Sequence, residues 1–333
     1  MNSLGTFFRL HIFGESHGAN VGIVLDGCPA GIDLKQEDFH RDIERRKSGA
    51  AGTTPRKEQD LPRIISGVFQ GKTTGAPLTI LFENADTRSK DYEKLKDTPR
   101  PGHADFVLHE KFKGYNDYRG GGHSSGRLTV ALVAAGVVAK KIVSELFIEA
   151  KLVAAGGNTD IEAAIAQAVE RQDSIGGIVA CRVKGLPIGL GEPFFNSVES
   201  LISHAVFSIP AVKAIEFGSG FAAASMSGSA HNDRIIDEKG TTQTNHAGGI
   251  NGGITNGNDL EFRIAIKPAS STPQPQQTWN KATRQVENFE IKGRHDLCIA
   301  LRAPVVVEAV TAMVLADLML LQNAYKSTDN PMR

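Results

Sequence analysis

The polar and titratable side chains of this 333-residue chain gather in five short segments that contain glycine. They are FGESHG (13–18), RDIERRKSG (41–49), RPGHAD (100–105), YRGGGHSSG (118–126) and KGRHDLC (292–298). Histidine has an ordinary pKa suited to proton transfer near neutral pH, and arginine presents a fixed fork of donors that matches phosphate or carboxylate. The segments therefore predict proton transfer beside a small ligand that carries several negative charges.

A solvated basic helix face is the alternative for part of this pattern. Arg41, Arg45 and Arg46 have the i, i+4 and i+5 spacing of one helix face, and acidic neighbours could balance them. Further arginines beside glycine or proline favour the ligand pocket: Arg100, Arg119, Arg127 and Arg294. A metal site is not predicted, because no pair of histidines or carboxylates has ligand spacing on one element.

The overall charge is balanced, since 37 Lys and Arg residues equal 37 Asp and Glu residues. A nucleic-acid partner is therefore disfavoured, and an anion site has to arise from local clustering. Three cysteines far apart indicate neither disulfides nor a zinc site, which fits the cytoplasm. No signal-peptide core is present, and the longest apolar run, around 130–139, is too short for a membrane span.

The elements that must position these residues follow from pattern. The glycines at 120–122 free the backbone for positive φ, and Ser124 or Ser125 can cap the next helix. Apolar residues on nearly all sides predict a buried central helix over 128–146, and 303–325 is a second largely apolar helix. We also predict a surface helix over 159–172, capped by Asp160 or Thr159, and a loop over 270–278.

Two stretches resemble each other across the midpoint of the chain. GIVLDGCPAGIDL (22–34) and GIVACRVKGLPIGLGE (177–192) each predict a strand, a Gly-x-Pro-x-Gly turn and a lead into a helix. Their turn glycines, Gly27 and Gly185, lie 158 positions apart. The pattern predicts a duplicated unit in which both halves share one core, with chance similarity of turn chemistry as the alternative.

Two glycine-rich stretches could suggest nucleotides. GVFQGKT (67–73) encloses three residues between its glycines where a P-loop needs four, and a β-rich run follows it, so an ATPase site is excluded. NHAGGINGGITNG (245–257) and KPASS (267–271) are weak signs of a nucleotide-like cofactor, and neither has the Rossmann pattern.

The chain resembles the chorismate synthase family in the order and spacing of strings between about residues 5 and 322: FGESHG, DGCPAGI, ERRKSG, SGVFQGKTTGAPL, RPGHAD, DYRGGGHSS, NHAGGINGGITNG, KPASS and GRHD. The resemblance implies an α+β fold, a single large β-α-β sandwich with central buried helices between antiparallel sheets. It also implies one domain over 1–325, with pseudo-repeat halves of about 1–150 and 151–325, a flexible tail at 326–333 and a homotetramer.

The reaction that the resemblance implies is anti-1,4 elimination of phosphate from 5-enolpyruvylshikimate 3-phosphate to give chorismate, with reduced FMN required but not consumed. NADPH is a possible reductant of the flavin. The alternatives are a paralogue with the same flavin site that acts on another anionic substrate, and an RNA-binding protein that uses Arg119 and the other basic loops. Balanced charge and few aromatic residues disfavour the RNA-binding alternative.

The resemblance also implies roles for individual residues. His17 would protonate reduced flavin, His103 would act as an acid near the departing phosphate, and Asp296 with Ser16 would assist proton removal through flavin N5. Substrate anions would be held by Arg46, Arg100 and Arg127. The implied FMN contacts are His123, Ser124, Ser125, Ala230, His231, Gly252, Lys267, Pro268, Ala269, Ser270, Ser271 and Arg294.

The chain departs from the family pattern at two places. Lys47 and Ser48 replace the usual arginine and proline, and a second arginine before the Thr-Thr pair is absent. One anion contact is therefore either missing or supplied by Arg56 or Lys57. His123 stands where the family has arginine, which puts a titratable side chain in place of a permanent charge.

Overall fold

Two antiparallel sheets enclose a layer of helices in the computed structural model of the chain, which describes residues 2–54, 58–86, 89–291 and 295–325. Arg56, Lys57, Arg294 and the tail 326–333, which the sequence analysis singles out, lie outside the described residues.

The first sheet is built from the N-terminal part of the chain. Its strand order is β1-β2-β3-β7-β4, with antiparallel neighbours, and β5 and β6 form a separate hairpin. The strands are β1 (Ser3–Leu4), β2 (Arg9–Gly14), β3 (Asn20–Asp26), β4 (Arg63–Ser66), β5 (Val68–Phe69), β6 (Lys72–Thr73) and β7 (Leu78–Glu83). The helices of this part are α1 (His40–Arg46), α2 (Asp105–Lys111) and α3 (Thr129–Ile142).

The second sheet comes from the rest of the chain and has the antiparallel order β10-β13-β9-β8. The strands are β8 (Phe147–Ala155), β9 (Gly177–Lys184), β10 (Val212–Phe217), β11 (Ile250–Asn251), β12 (Ile254–Thr255), β13 (Leu260–Ile266), β14 (Gln276–Asn280) and β15 (Gln285–Phe289). The helices are α4 (Ile161–Arg171), α5 (Val198–Val206), α6 (Gly228–His231) and α7 (Ala303–Tyr325). Among the hairpins, β14–β15 corrects the predicted loop, since residues 276–278 pair with β15.

Inward side chains of both sheets pack on the helix layer. Leu78, Ile80 and Phe82 alternate along β7 and are fully buried, and Val179 and Val183 do the same on β9. The alternation points one face of each sheet at α3 and α7, which contact the first and the second sheet respectively. The predicted α+β sandwich with central buried helices is confirmed.

The two core helices approach each other at Gly136 of α3. A Cβ added there would lie 2.5 Å from Ala309 Cα, closer than real side chains come, so the two helix backbones are in near contact. The predicted helix at 128–146 is confirmed over Thr129–Ile142, and it ends where Val143 leaves helical geometry. The predicted helix at 303–325 is confirmed over its whole range.

The segment Ile299–Tyr325, which includes α7, is long and apolar enough to cross a membrane by length and composition alone. The run at 130–139 is the longest without a polar residue, since Glu308, Thr311 and Asp317 divide this second segment, but the second segment has the length of a membrane span. In the structure 78% of the most apolar window of this segment is buried inside the protein, as in a core helix.

Two carboxylates inside α7 are fully partnered. Glu308 accepts two hydrogen bonds of 2.7 Å from Arg45 and one of 2.9 Å from Lys140, and it also accepts from the Ala150 amide. Burial alone would raise the pKa of Glu308, but these donors hold it below its usual value. Asp317 accepts backbone N–H bonds from residues 6–8. Buried charges paired in this way are retained in a core.

The predicted common face of three arginines is wrong. Arg41 and Arg45 are exposed, and Arg45 reaches Glu308 from the surface, whereas Arg46 is buried and donates to the Gly126 carbonyl in the loop before α3. Consecutive helix positions differ by about 100° in direction, so Arg45 and Arg46 reach different partners.

Local turn chemistry agrees with the sequence at several positions. The Asp160 side chain accepts from the Ala163 amide and caps α4, which decides between the two predicted caps. Gly27 and Gly185 follow β3 and β9 directly and have φ of 74° and 84°. Gly67 and Gly71 flank strand β5 rather than a helix start, in agreement with the excluded P-loop.

Replacing Gly136 with alanine is expected to destabilise the protein by about 1–3 kcal/mol, because the new Cβ forces α3 and α7 apart. The clash should outweigh the gain of about 1 kcal/mol that alanine normally brings to a helix interior. Urea unfolding would measure the difference. Gly228→Ala is the control, since a Cβ at this helical glycine meets nothing within 4 Å. A Gly136→Ala protein as stable as the wild type would contradict the close approach.

Candidate active site

A cavity of about 710 Å³ lies where the N-terminal ends of α3 and α7 meet the C-terminal end of α1. Residues 124–127 and 129 line it from the start of α3, and Arg302, Ala303 and Val306 line it from the start of α7. The unpaired N–H groups and the positive dipole end of a helix both favour anions. The cavity therefore has two helix starts suited to negative charge.

The triple-glycine loop separates the two predicted catalytic histidines. Gly120, Gly121 and Gly122 have φ of 59°, 82° and 53°, as the sequence predicts. A Cβ on Gly120 would lie 2.6 Å from His17 Cδ2, and a Cβ on Gly121 would lie 3.4 Å from His103 Cε1. Glycine is required at the first of these positions, because any side chain would displace His17.

Ser16 and His17 lie beneath this loop. The Ser16 N–H donates to the Gly122 carbonyl at 3.1 Å, and the His17 ring packs edge-on against Tyr92, which lines the cavity. Both residues are buried. Ser125 is the capping serine of the predicted pair, since its Oγ accepts from the Arg127 N–H as the turn into α3 begins. The Ser124 hydroxyl instead donates to Gly121 and holds the loop.

His103 is oriented by Asp105. His103 Nδ1 lies 2.7 Å from Asp105 Oδ1 and 3.1 Å from Arg100 Nη2. The shorter contact is to a carboxylate, which only accepts when ionised, so we assign the hydrogen to Nδ1 and leave Nε2 for the cavity side. Arg100 binds the same carboxylate with its Nε and Nη2 at 2.7 and 2.8 Å. Burial alone would raise the pKa of Asp105, but hydrogen bonds from Arg100 and His103 hold it well below its usual value.

Arg46 and Arg127 share one buried carboxylate, that of Asp60. Arg46 also donates through Nε to Thr129 at 2.9 Å, and Arg127 donates through Nε to Asn84 at 2.8 Å. Burial and the nearby charge of Arg302 lower the pKa of Arg46 to about 9, so it stays protonated at neutral pH. Both arginines line the cavity, as predicted for substrate anions.

Asp296 lies on the α7 side of the cavity. It accepts from the Thr54 amide at 2.9 Å and pairs with Arg302 Nη1 at 3.2 Å. Arg302 in turn donates through Nε to the Arg46 carbonyl at 2.8 Å, which ties the end of α1 to the start of α7.

Lys267 to Ser271 all line the cavity, next to the loop that carries His103. Lys267 Nζ donates to the Gly102 carbonyl at 2.5 Å and to Ser270 Oγ at 2.9 Å, and Arg100 donates to Ser271 at 3.1 Å. Burial, and then the charge of Lys213, lower the pKa of Lys267. The KPASS segment and the RPGHAD segment therefore form one wall.

Four predicted cofactor contacts do not line this cavity: His123, Ala230, His231 and Gly252. The His123 ring turns toward β2, where Nδ1 lies 2.7 Å from the Gly14 carbonyl oxygen and Nε2 lies 3.1 Å from Asn2 Oδ1. His231 stacks near His246 in a segment outside the cavity. The roles of these four residues stay predictions.

Sequence reasoning did not assign roles to several cavity residues: Asp60, Tyr92, His295 and Arg302. His295 is notable because its Nε2 is buried and has no hydrogen-bond partner. Burial, and then the charge of Arg100, lower the pKa of His295. The position of His295 in GRHD, beside Asp296, is the only sequence signal for a role in the site. Asp60, Tyr92 and Arg302 have no such signal, because their places in the cavity depend on partners distant in sequence.

The residues fit a flavin. Gly120, which has a positive φ and no side chain, lets the backbone approach a flat group at the cavity wall, and Ile209, Pro210 and Ile266 add apolar wall surface. The buried Nε2 of His295 has no hydrogen-bond partner, and a bound ligand or a shifted side chain could supply one. The candidate holding residues are Ser124, Ser125 and the stretch 267–271.

Comparison with known proteins agrees with this geometry. The family model described as chorismate synthase matches residues 8–320. The chain belongs to the chorismate synthase family. A chorismate synthase from Chitinophaga pinensis is 66% identical over 323 residues, covering 97% of each chain, and one from Dehalococcoides mccartyi is 44% identical over 351 residues, covering 96% of each. The family that the motifs predict is confirmed.

A solved structure gives the same answer for the fold of this family member. A crystal structure of chorismate synthase superposes with a TM-score of 0.74 at 26% identity, and the match covers 96% of this chain and 93% of the other. The shared fold extends over nearly the whole chain.

Asp105→Asn is expected to lower the free energy of unfolding by about 3 kcal/mol near neutral pH, because it leaves buried Arg100 without its carboxylate. Since folding depresses the pKa of Asp105, this contribution is present above the ordinary value of 3.8 and is lost as pH falls toward the folded value. The difference between wild type and variant should therefore shrink below about pH 4.

Urea unfolding at a series of pH values would measure this. Asp33→Asn is the matched control, since Asp33 pairs with Lys72 on the surface, where water screens the pair, and its removal should change little. If the difference in the free energy of unfolding between wild type and Asp105→Asn stays constant down to about pH 3, the ionised carboxylate does not cause that difference.

Proposed function

We propose that the chain catalyses the anti-1,4 elimination of phosphate from 5-enolpyruvylshikimate 3-phosphate to give chorismate. A C–H bond and the C–O bond to phosphate break, a new carbon–carbon double bond forms, and phosphate leaves with the C–O electron pair. The observation that carries the proposal is the arginine cluster that lines the cavity together with His103, beside the glycine loop that covers His17. Membership of the chorismate synthase family supports it, and nothing in the comparisons favours a paralogue with another substrate.

Substrate binding falls to the arginines. The substrate carries one phosphate and two carboxylates, and Arg46, Arg100 and Arg127 line the cavity from three different elements. Each is anchored by protein acceptors, so its remaining N–H groups have fixed directions. Preorganised donors of this kind bind and orient an anion without reorganising as it reacts.

Proton handling falls to the histidines and Asp296. With Nδ1–H directed to Asp105, His103 in its imidazolium form would donate the Nε2 proton to the departing phosphate and become neutral. Asp296 and Ser16 would assist removal of the substrate proton. His17, which lies under the glycine loop, would protonate the reduced flavin. Asp105 is a positioning residue, since it acts through His103.

Reduced FMN is the cofactor we propose, with NADPH as its reductant. When bound, a reduced flavin supplies electron density to the allylic system and recovers it, which eases loss of an unactivated hydrogen. Ser124, Ser125 and residues 267–271 would hold it, and Arg294 is a further predicted contact.

We also propose a homotetramer of single-domain subunits, each with halves of about 1–150 and 151–325. Large apolar side chains stand exposed outside the cavity, among them Phe194 and Phe195 at 86% and 92% and Phe221 at 83%. Ala230 and His231 lie shortly after Phe221, so a second copy could receive them at its own cavity.

The buried, unpaired cysteines Cys28, Cys181 and Cys298 suit a cytoplasmic location.

Purified protein incubated without oxygen with reduced FMN and 5-enolpyruvylshikimate 3-phosphate is expected to form chorismate, measured by its absorbance. His103→Asn should lower kcat by about 10²- to 10⁴-fold, because the general acid is lost. The surface variant Asp33→Asn should retain wild-type kcat. Absence of chorismate with the wild-type protein would overturn the proposed activity, and turnover of another anionic substrate would favour the paralogue.

Phe194→Ser combined with Phe195→Ser is expected to shift the protein toward smaller species in analytical ultracentrifugation, because the variant loses apolar interface area. FMN affinity should fall with it if a neighbouring copy supplies Ala230 and His231. Val169→Ser, at an exposed position of α4, is the control. An unchanged sedimentation coefficient for the double variant would place the interface elsewhere.

A further inference from the structure

Asp60 holds an unusual place among the cavity residues. Its side chain is 2% exposed, yet the residue lines the cavity, and its carboxylate lies between the two substrate arginines. Oδ2 is 3.2 Å from Arg46 Nη1, and Oδ1 accepts from Arg127 Nη1. The backbone at Asp60 has a φ of 51°, in the left-handed region. A protein anion therefore sits on the groups proposed to bind the substrate anion.

The guanidinium groups do not need Asp60 for their orientation. Arg46 also donates to Thr129, to the Gly126 carbonyl and to the Arg127 carbonyl. Arg127 also donates to Asn84 and to the Glu83 carbonyl at 3.0 Å. Each side chain is thus fixed by at least two other acceptors, and what Asp60 adds is negative charge.

The charge is needed while no ligand is bound. Arg46, Arg127 and Arg302 cluster at this end of the cavity, and Asp60 and Asp296 are the carboxylates that act on Arg46. Lys47 and Glu58 line the same cavity and add one charge of each sign. Burial by itself would raise the pKa of Asp60, but Arg46 and then Arg127 lower it below its usual value, so the carboxylate is ionised. Without Asp60, buried guanidiniums would face one another with less compensation.

We propose that Asp60 is a built-in counter-anion for Arg46 and Arg127 that competes with the ligand and thereby determines which anions the site accepts. The inference deepens the proposed function and rests on it for the identity of the ligand. A single weak anion does not outcompete the carboxylate, whereas a ligand with several anionic groups does. After elimination, Asp60 again neutralises the arginines and favours release of inorganic phosphate.

Calorimetric titration of the full-length protein with inorganic phosphate tests this directly. Asp60→Asn keeps the shape of the side chain, and asparagine tolerates the positive φ at this position. Removing the competing charge should tighten phosphate binding by at least about tenfold, a difference of about 1.4 kcal/mol. Phosphate should also inhibit chorismate formation by the variant at correspondingly lower concentrations.

Asp42→Asn is the matched control. Asp42 also pairs with two cations, Arg45 and Lys140, but it is not among the cavity-lining residues, so phosphate affinity should not change. If Asp60→Asn is unstable alone, phosphate should restore its melting temperature more than it raises that of the wild type, since a ligand stabilises the state it binds.

Other outcomes overturn the inference. Weaker or unchanged phosphate binding in Asp60→Asn, or no phosphate binding by either protein, would mean that the carboxylate does not compete with the ligand. Failure of the variant to fold even in phosphate would make Asp60 a structural clamp for the arginines. Chorismate formation by the wild type is measured separately, so failure of the proposed activity leaves the phosphate comparison intact.

Discussion

The near contact of α3 and α7 at Gly136 and Ala309 is the constraint on which the rest of this structure depends. The contact lies seven residues into α3 and six residues into α7, and residues at both helix starts line one cavity, so the two helices begin at the same end of the core. Each helix also carries one sheet on its outer side. The short distance between the two helix backbones at Gly136 thus sets both the thickness of the sandwich and the point where the two helix starts meet.

That meeting point explains how a chain with no net charge holds a strongly cationic cavity. Arginines from separate elements converge there, and the starts of α3 and α7 add the positive ends of two helix dipoles. Such a cluster is costly to bury without compensation. Two carboxylates supply the compensating negative charge, each in a different way. Asp105 fixes Arg100 and His103 together, whereas Asp60 is shared by two arginines that other acceptors already hold.

The sequence alone predicts much of this arrangement, because many of the signals are local. Three successive glycines, a capping serine and an all-round apolar run define the loop and α3 without reference to the rest of the chain. The role of Asp60 could not be predicted in this way, since its partner Arg127 is 67 positions distant and Asp60 follows no motif. The helical spacing groups Arg45 with Arg41 and Arg46, but Arg45 pairs with Glu308, which lies in an apolar helix far along the chain. Charge pairs across the core depend on packing, which local pattern does not encode.

The segment that follows β10 bears on how the site is completed. It is held by specific bonds, since Asp233 accepts from the amides of His246 and Ala247 and from the Thr244 hydroxyl. A segment ordered in this way keeps Phe221 exposed, although exposure of large apolar side chains favours association. The segment also carries Ala230 and His231, which motif similarity links to the cofactor but which do not line the cavity of their own chain. Order, apolar exposure and motif together are best satisfied if this surface packs against the cavity of a neighbouring copy, so that assembly and cofactor binding are coupled.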